Sequence, residues 1–597
     1  MTKNQTILFL LFRKLGQTWQ LFPAFLFLGF FFVYPVVLLL SLSFLNSNGE
    51  ITLEHYGRLA TTPLYFKVLV ITLKTAGWTT LLAVVGGYPV AYLLASVRHS
   101  TRNSLLIWVL MPFWTSFLVR TFAWIVLLGR NGAVNDLLQV LGIIDRPLKI
   151  IYNFTGVLIG MTHALMPLAV LTMLSVMLNI NANLPKAAST LGARGGQVFW
   201  RIFFPLSLPG VAAGGLLVFI TSIGFFITPA LLGGMRDTMI VQVIIFQIHE
   251  VLNWKFAGAV SMLLLLTVLL IFYFYDRLLG LSTLSGEAQQ SSAKSNRLTM
   301  LGSQIGTRLI TYIAWFCEKT AEFYEWFFPL RPDSPQRKFS QKVLWVTGLF
   351  IISFLALPTF FIIPVSFTEE GFLSWPPKGF SLQWYEQIFS SLHWFEAIGR
   401  SFLVASCSSL LGMFIGVPAA FFLIRKSIPG KTLIFAFLIS PMILPHIIIA
   451  VAIFFLFANL SLVGTTFGLV LGHTVLAIPF VVVTVMAVIK NYNEHFDQAA
   501  WTLGATRLKT LIHITFPLIR PGLIAAFMFA FIISLDELTI ALFITGGEVT
   551  TLPKQMWDDA IMRVSPLLAA VASLLLVFMS GFILLSEFLR RRGVQVK

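Results

Sequence analysis

Long stretches of this chain carry no polar period at all. Near-continuous apolar runs recur near 21–44, 68–96, 104–129, 153–178, 210–233 and 256–276. A second series falls near 342–366, 401–424, 432–457, 463–488, 522–545 and 564–588. Each is close to the ~20 residues that cross a hydrocarbon core of roughly 30 Å as a helix. The pattern predicts an all-α membrane protein with six spans in each half.

Between the two series the pattern changes. Residues 281–304 are rich in Ser, Gln and Thr and read as disordered. Residues 308–330 are apolar and aromatic enough to resemble a further span, yet Glu318, Glu322 and Glu325 fall at i, i+4 and i+7 on one helical face beside Trp315, Phe316, Trp326 and Phe327. A single extra crossing would place the two halves on opposite sides of the membrane. An amphipathic helix lying in the cytoplasmic interface fits better, and a helix packed outside the second half is the alternative. The chain thus divides into a first half (1–277), a cytoplasmic linker (278–340) and a second half (341–597).

Composition agrees with burial in lipid. Of 597 residues, 57% are hydrophobic and 11% charged, against about 25% charged in a soluble domain. The net charge of +17 would suggest nucleic acid in a soluble protein, but in a membrane protein Lys and Arg collect in cytoplasmic loops. Arg13 and Lys14, Arg98 and Arg102, and Lys186, Arg194 and Arg201 mark such loops in the first half. Arg425, Lys426 and Lys431, then Lys490, Arg507 and Lys509, and finally Arg590–Arg592 mark them in the second. Both termini are then expected on the cytoplasmic side. The loop holding Arg130, Arg146 and Lys149 argues the other way, diluted by Asp136 and Asp145. Ile7–Phe12 is a short apolar run followed by Arg13 and Lys14 without a small-residue cleavage site, which reads as a cytoplasmic lead-in rather than a removed signal peptide. Cys317 and Cys407 give neither a disulfide framework nor metal-ligand spacing.

One stretch occurs twice. Lys186-Ala-Ala-Ser-Thr-Leu-Gly192, running on to Phe204-Pro-Leu-Ser-Leu-Pro-Gly210, returns as Gln498-Ala-Ala-Trp-Thr-Leu-Gly504, running on to Phe516-Pro-Leu-Ile-Arg-Pro-Gly522. From Ala187 to Gly210 the shift is a constant 312, so the two halves are repeats. Each copy (184–210 and 496–522) sits in a cytoplasmic loop after the fourth span of its half. Asn183 is placed to cap a short helix with Pro185 near its first turn. Ala187, Ala188 and Gly192, with Ala499, Ala500 and Gly504, let another surface approach the backbone. Pro205 and Pro209 are expected to break the chain before a new helix enters the membrane.

These loops resemble the signature loop of permease subunits of binding-protein-dependent ABC importers, in which Glu-Ala-Ala is followed by three residues, a Gly and a proline-containing end. Lys186 and Gln498 stand where that family usually has Glu. The likeness extends to Pro112–Trp124 and Thr228–Gly234, which look like the first permease of spermidine/putrescine-type importers. Ser440–Pro445, Gly472–Thr474 and Ser534–Leu538 look like the second. The chain thus resembles both subunits fused head to tail. The resemblance implies a type I importer fold, with the repeated loops as coupling helices gripped by an ABC ATPase dimer on the cytoplasmic side. It also implies a periplasmic or lipid-anchored substrate-binding protein, the bacterial inner membrane as location, and a small cationic solute such as a polyamine. Fused permeases for ferric iron, thiamine or aminoalkyl phosphonate fit the same loops. An ion-coupled secondary transporter with parallel repeats would not need them.

No catalytic centre emerges. The nearest string to a phosphate-binding loop, Arg425-Lys-Ser-Ile-Pro-Gly430-Lys431-Thr432, lacks the first Gly and any preceding strand. This chain is therefore expected to bind no cofactor and to leave ATP to a partner subunit. His163, His446 and His473 are scattered over apolar spans without metal spacing and read as core histidines. Ionisable residues within spans are costly and default to functional candidates. They are Asp536 and Glu537 in the fifth span of the second half, Arg120 in the third span of the first, and Lys74 near the outer part of the second. At the 312 shift, Asp536 and Glu537 face Gly224 and Phe225, so any site they build belongs to one half. With Trp114 and Trp124 supplying cation–π faces, Asp536, Glu537 and Arg120 form the candidate substrate pathway. Pairing of Asp536 with Arg120, or capping of a broken helix by Asp536, would be the structural alternative.

Overall fold

The computed structural model describes residues 19–279 and 336–594, apart from 47, 194, 427–429 and 547–548, and scattered positions between 308 and 323. The lead-in at 7–14, most of the linker and most of the expected interfacial helix at 308–330 lie outside the described residues.

In the first half the principal helices are α1 (Trp19–Leu42), α2 (Pro63–Ser96), α3 (His99–Trp114), α4 (Phe117–Leu128), α5 (Phe154–Leu178), α6 (Asn183–Thr190), α7 (Phe204–Ile223), α8 (Ile227–Leu232) and α9 (Trp254–Leu279). The second half has α10 (Gln336–Val365), α11 (Leu392–Arg425), α12 (Lys431–Ile443), α13 (His446–Asn459), α14 (Thr466–Lys490), α15 (His495–Thr502), α16 (Phe516–Leu535), α17 (Thr539–Ile544), α18 (Leu552–Met562) and α19 (Pro566–Val594). Among the described residues ten helices are long and apolar enough to cross a membrane, or eleven if α12 and α13, bent by 91°, form one span. The third expected span of each half is thus two helices. It breaks at Thr115-Ser116 and at Leu444-Pro445, just after a proline that clashes with the preceding turn.

The repeat reaches beyond the signature loops. α5 and α14, α6 and α15, α7 and α16, and α8 and α17 all correspond at a shift of 312. α2 and α11, both of 34 residues, correspond at 329. The difference of 17 residues lies between α4 and α5, where the first half carries an additional helix at Ala133–Val140. That insertion holds Arg130, Arg146 and Lys149, the charges that ran against the topology. Prolines recur at matching places: Pro89 with Pro418, Pro112 with Pro441, Pro167 with Pro479, and Pro209 with Pro521.

Pro205 does not break the chain, contrary to expectation. One helix runs through it, from Gly196 to Ile223. A five-residue π turn, Phe199–Phe203, precedes the proline, and the Phe204 N–H reaches back to the Phe199 carbonyl. The widened turn makes room for a ring that an α turn would reject. Leu511–Thr515 does the same before Pro517.

The chain packs as two compact units that do not follow the two halves. One comprises the chain through Arg58, Phe246–Ser261 and the chain from Ile363 onward; the other comprises Leu59–Ile245 and Met262–Ile362. In the first unit α11, α14 and α16 form the core around Ala420, Ala477, Val481, Val485 and Ala526, and α1 lies on α13, with Phe31 against Phe457, and reaches α12, with Phe25 stacked on Phe437 at 4.9 Å. In the other unit α2, α5 and α7 build the equivalent core, and α10 supplies Ile352 and Leu355 to it. His163 is fixed there by donating from Nε2 to the Leu355 carbonyl at 2.9 Å. Each core is therefore completed by the first helix of the opposite half.

Small residues let the core helices approach. A Cβ on Gly522 would lie 2.3 Å from Val488 Cγ2, and one on Gly210 would lie 2.9 Å from Val176 Cβ. Close backbone approach is the usual basis of helix packing in lipid, where apolar side chains gain little by leaving the tails.

Candidate functional site

α6 and α15 are the same short helix made twice. Asn183 is not its cap: the Asn181 carboxamide oxygen accepts from the Asn183 N–H at 3.0 Å, and Asn493 does the same for His495. Each helix ends in a tight turn whose Gly adopts positive φ, +88° at Gly192 and +84° at Gly504, with open space where a side chain would stand. A residue with a Cβ would be strained there. Lys186, Ala187, Gln498 and Ala499 are exposed. So are Leu191 and Leu503, each 88% exposed just before the glycine. Sequence reading passed over these two leucines, although their recurrence at the 312 shift was visible. A large apolar side chain held outward twice, at matching places, suits a docking face.

The two helices differ in how they are seated. Among the described residues α6 has no buried side chain, whereas α15 buries Asp497 and Ala500. The Asp497 carboxylate, 2% exposed, takes the Arg425 guanidinium at 2.5 Å on one oxygen. Its other oxygen accepts from the Tyr492 hydroxyl at 2.7 Å and from the Thr515 hydroxyl at 2.8 Å. The Arg425 guanidinium also lies over the rings of Phe421 and Tyr492, at 5.1 and 5.9 Å. Burial, reinforced by the bond to Asp497, pushes the Tyr492 phenol up to about 12. It therefore stays a donor at any physiological pH. Arg425 was read from sequence only as a cytoplasmic loop charge and the other three were not singled out, because their partnership spans about ninety residues and leaves no local pattern.

The candidate pathway residues are distributed as follows. In the first unit, α16 ends at Leu535 and α17 begins at Thr539. Glu537 stands in that break, 6% exposed, and its carboxylate accepts from the N–H groups of Thr539, Ile540 and Ala541 at 3.0, 2.7 and 3.3 Å. It caps the broken helix, the role considered above for Asp536. Its Oε2 is also 3.9 Å from His473 Nε2, while His473 Nδ1 meets the Ser534 hydroxyl at 2.9 Å. Asp536 is half-exposed. In the other unit, Arg120 and Trp124 share α4. Arg120, 2% exposed, donates to the Ala164 carbonyl at 3.0 Å and lies over the Phe117 ring at 4.1 Å. Trp124 is buried against His163 and Phe354. Lys74 is exposed and sits over the Phe154 ring at 4.4 Å. The Trp114 side chain lies outside the described residues. Among the described residues no cluster of three potential metal ligands occurs.

The family model described as "Binding-protein-dependent transport system inner membrane component" matches twice, at residues 87–280 and 408–593. The spermidine/putrescine transport system permease protein PotB of Escherichia coli (strain K12) is 36% identical over 259 residues, 42% of this chain and 94% of that protein. Its PotC counterpart from the same strain is 29% identical over 242 residues, 40% of this chain and 91% of that protein. Among solved structures, a bacterial ABC transporter that imports the acidic polysaccharide alginate matches with a TM-score of 0.38 and 18% identity, over 45% of this chain and 96% of that one. Matched twice along its length, the chain belongs to the family of binding-protein-dependent transport system inner membrane components, transport permeases rather than enzymes, and consists of two such units joined head to tail.

Proposed function

We propose that this chain forms the whole transmembrane pathway of an ATP-driven importer for a small polyamine. The observation that carries the reading is the double family match together with two relatives of different name, each a spermidine/putrescine permease and each spanning about two-fifths of this chain. One chain then does the work of two subunits. In this reading an ABC ATPase dimer grips α6 and α15 from the cytoplasm, contacting Lys186, Ala187, Ala188 and Gly192 in one loop and Gln498, Ala499, Ala500 and Gly504 in the other. ATP is bound and hydrolysed on that dimer. A substrate-binding protein delivers the solute from the outer side, and both termini of this chain lie in the cytoplasm.

Of the acidic pair, Asp536 is the group we assign to the solute. Glu537 lies buried in the α17 cap, whereas Asp536 beside it is only half-buried and keeps part of its surface accessible. A carboxylate at a helix break inside the membrane offers an ammonium group charge without requiring it to leave the pathway. Arg120 and Trp124 act as packing for α4 in this reading.

Proteoliposomes holding the chain and its ATPase, with ATP enclosed and the binding protein outside, test the proposal. Labelled spermidine is expected to enter only with ATP and binding protein, with putrescine competing. Uptake that persists without ATP would overturn it in favour of an ion-coupled transporter. Competition by ferric iron, thiamine or an aminoalkyl phosphonate, with none by putrescine, would overturn the polyamine assignment.

A further inference from the structure

α15 is tied to the membrane helices by an ion pair on a buried carboxylate, and among the described residues α6 has no counterpart of it. Arg425 is the last residue of α11, and Thr515 is the last residue of the π turn that opens into α16. Asp497, on the hidden face of α15, binds both, and Tyr492 from the end of α14 closes the ring. Three core helices therefore meet the short helix at a single carboxylate. In the first half the corresponding positions are Ser96 at the 329 shift and Ile180, Pro185 and Phe203 at 312. No charge or hydroxyl pair can form among Ile180, Pro185 and Phe203, and none of the side chains of α6 is buried among the described residues.

We infer that Asp497 is a positioning residue that makes α15 the stiff lever of the pair, transmitting displacement of the short helix to the inner ends of α11, α14 and α16. The inference rests on the ATPase-docking reading given above. A carboxylate held by one guanidinium and two hydroxyls moves as a unit with its partners, because separating any of them strands a buried charge. Among the described residues α6 buries no side chain in its bundle, so the same push is absorbed by bending at its ends. One side of the permease thus follows the ATPase closely and the other loosely.

Asp497→Asn keeps the volume and an acceptor oxygen for Tyr492 and Thr515 but removes the charge that holds Arg425. The complete complex carrying this variant should still co-purify with its ATPase and hydrolyse ATP, while solute moved per ATP falls about tenfold, the scale expected when a coupling network is cut. Asp497→Glu should recover most of that ratio. Arg425→Gln, which cuts the pair from its more exposed side, should repeat the loss. An unchanged uptake-to-hydrolysis ratio in Asp497→Asn and Arg425→Gln overturns the inference. Failure of both variants to accumulate overturns it too, since the network would then serve folding alone. Gly504→Arg separates this outcome from failure of the docking reading: if that variant still binds and stimulates the ATPase, α15 is no docking helix at all.

Discussion

Two adjacent acids in one apolar run have unlike surroundings. Glu537 is held by three backbone N–H groups at the start of α17, while Asp536 keeps a half-exposed face. Glu537→Ala should lower stability by about 2 kcal/mol, the upper range for losing a helix cap, read as a drop in melting temperature in detergent. Glu537→Gln, whose amide oxygen still accepts, should cost less. Asp536→Asn should raise the solute concentration needed for half-maximal uptake. The presence of both acids inside the membrane was legible in the sequence; their division of labour was not. It is set by a helix break flanked on both sides by apolar residues, which leaves the hydropathy of 522–545 uninterrupted. Two surroundings of Arg120 were hidden for a related reason: the Ala164 carbonyl and the Phe117 ring meet its guanidinium in the fold, and sequence order does not announce either contact.

At the scale of elements, the spans and the repeated loops were readable because apolar length and a constant shift are local properties. The change of shift from 312 to 329 was hidden by the insertion at Ala133–Val140, whose misplaced charges were its one outward sign. The uninterrupted passage through Pro205 and Pro517 was hidden as well, since a π turn has no composition of its own. Where α14 and α16 cross, Gly522→Val should destabilise by about 1–3 kcal/mol through overpacking, because even its Cβ would collide with Val488. Gly399→Ala, on α11 with nothing within 4 Å of the added atom, should cost nothing. Thermal unfolding of the two variants side by side checks the contrast. Equal melting temperatures would show that α14 and α16 separate freely at this point.

The whole molecule departs furthest from its sequence order. Hydropathy reports that α1 and α10 are apolar, but not which apolar neighbour each will choose, and each completes a core belonging to the other half. Proteolytic cleavage in the linker, at a site engineered within 281–304, should therefore leave two fragments that co-purify in detergent without the ATPase. Fragments that separate at once would argue against the exchange.

That exchange also sets an order of birth. The bundle of α2, α5 and α7 is made early, yet its last helix, α10, appears only when synthesis has passed the linker and reached Ile362. α1 is made long before α13 and must wait in the bilayer until α13 exists. A ribosome that stalls in the linker therefore releases no finished unit, only a half with one helix too many and one too few.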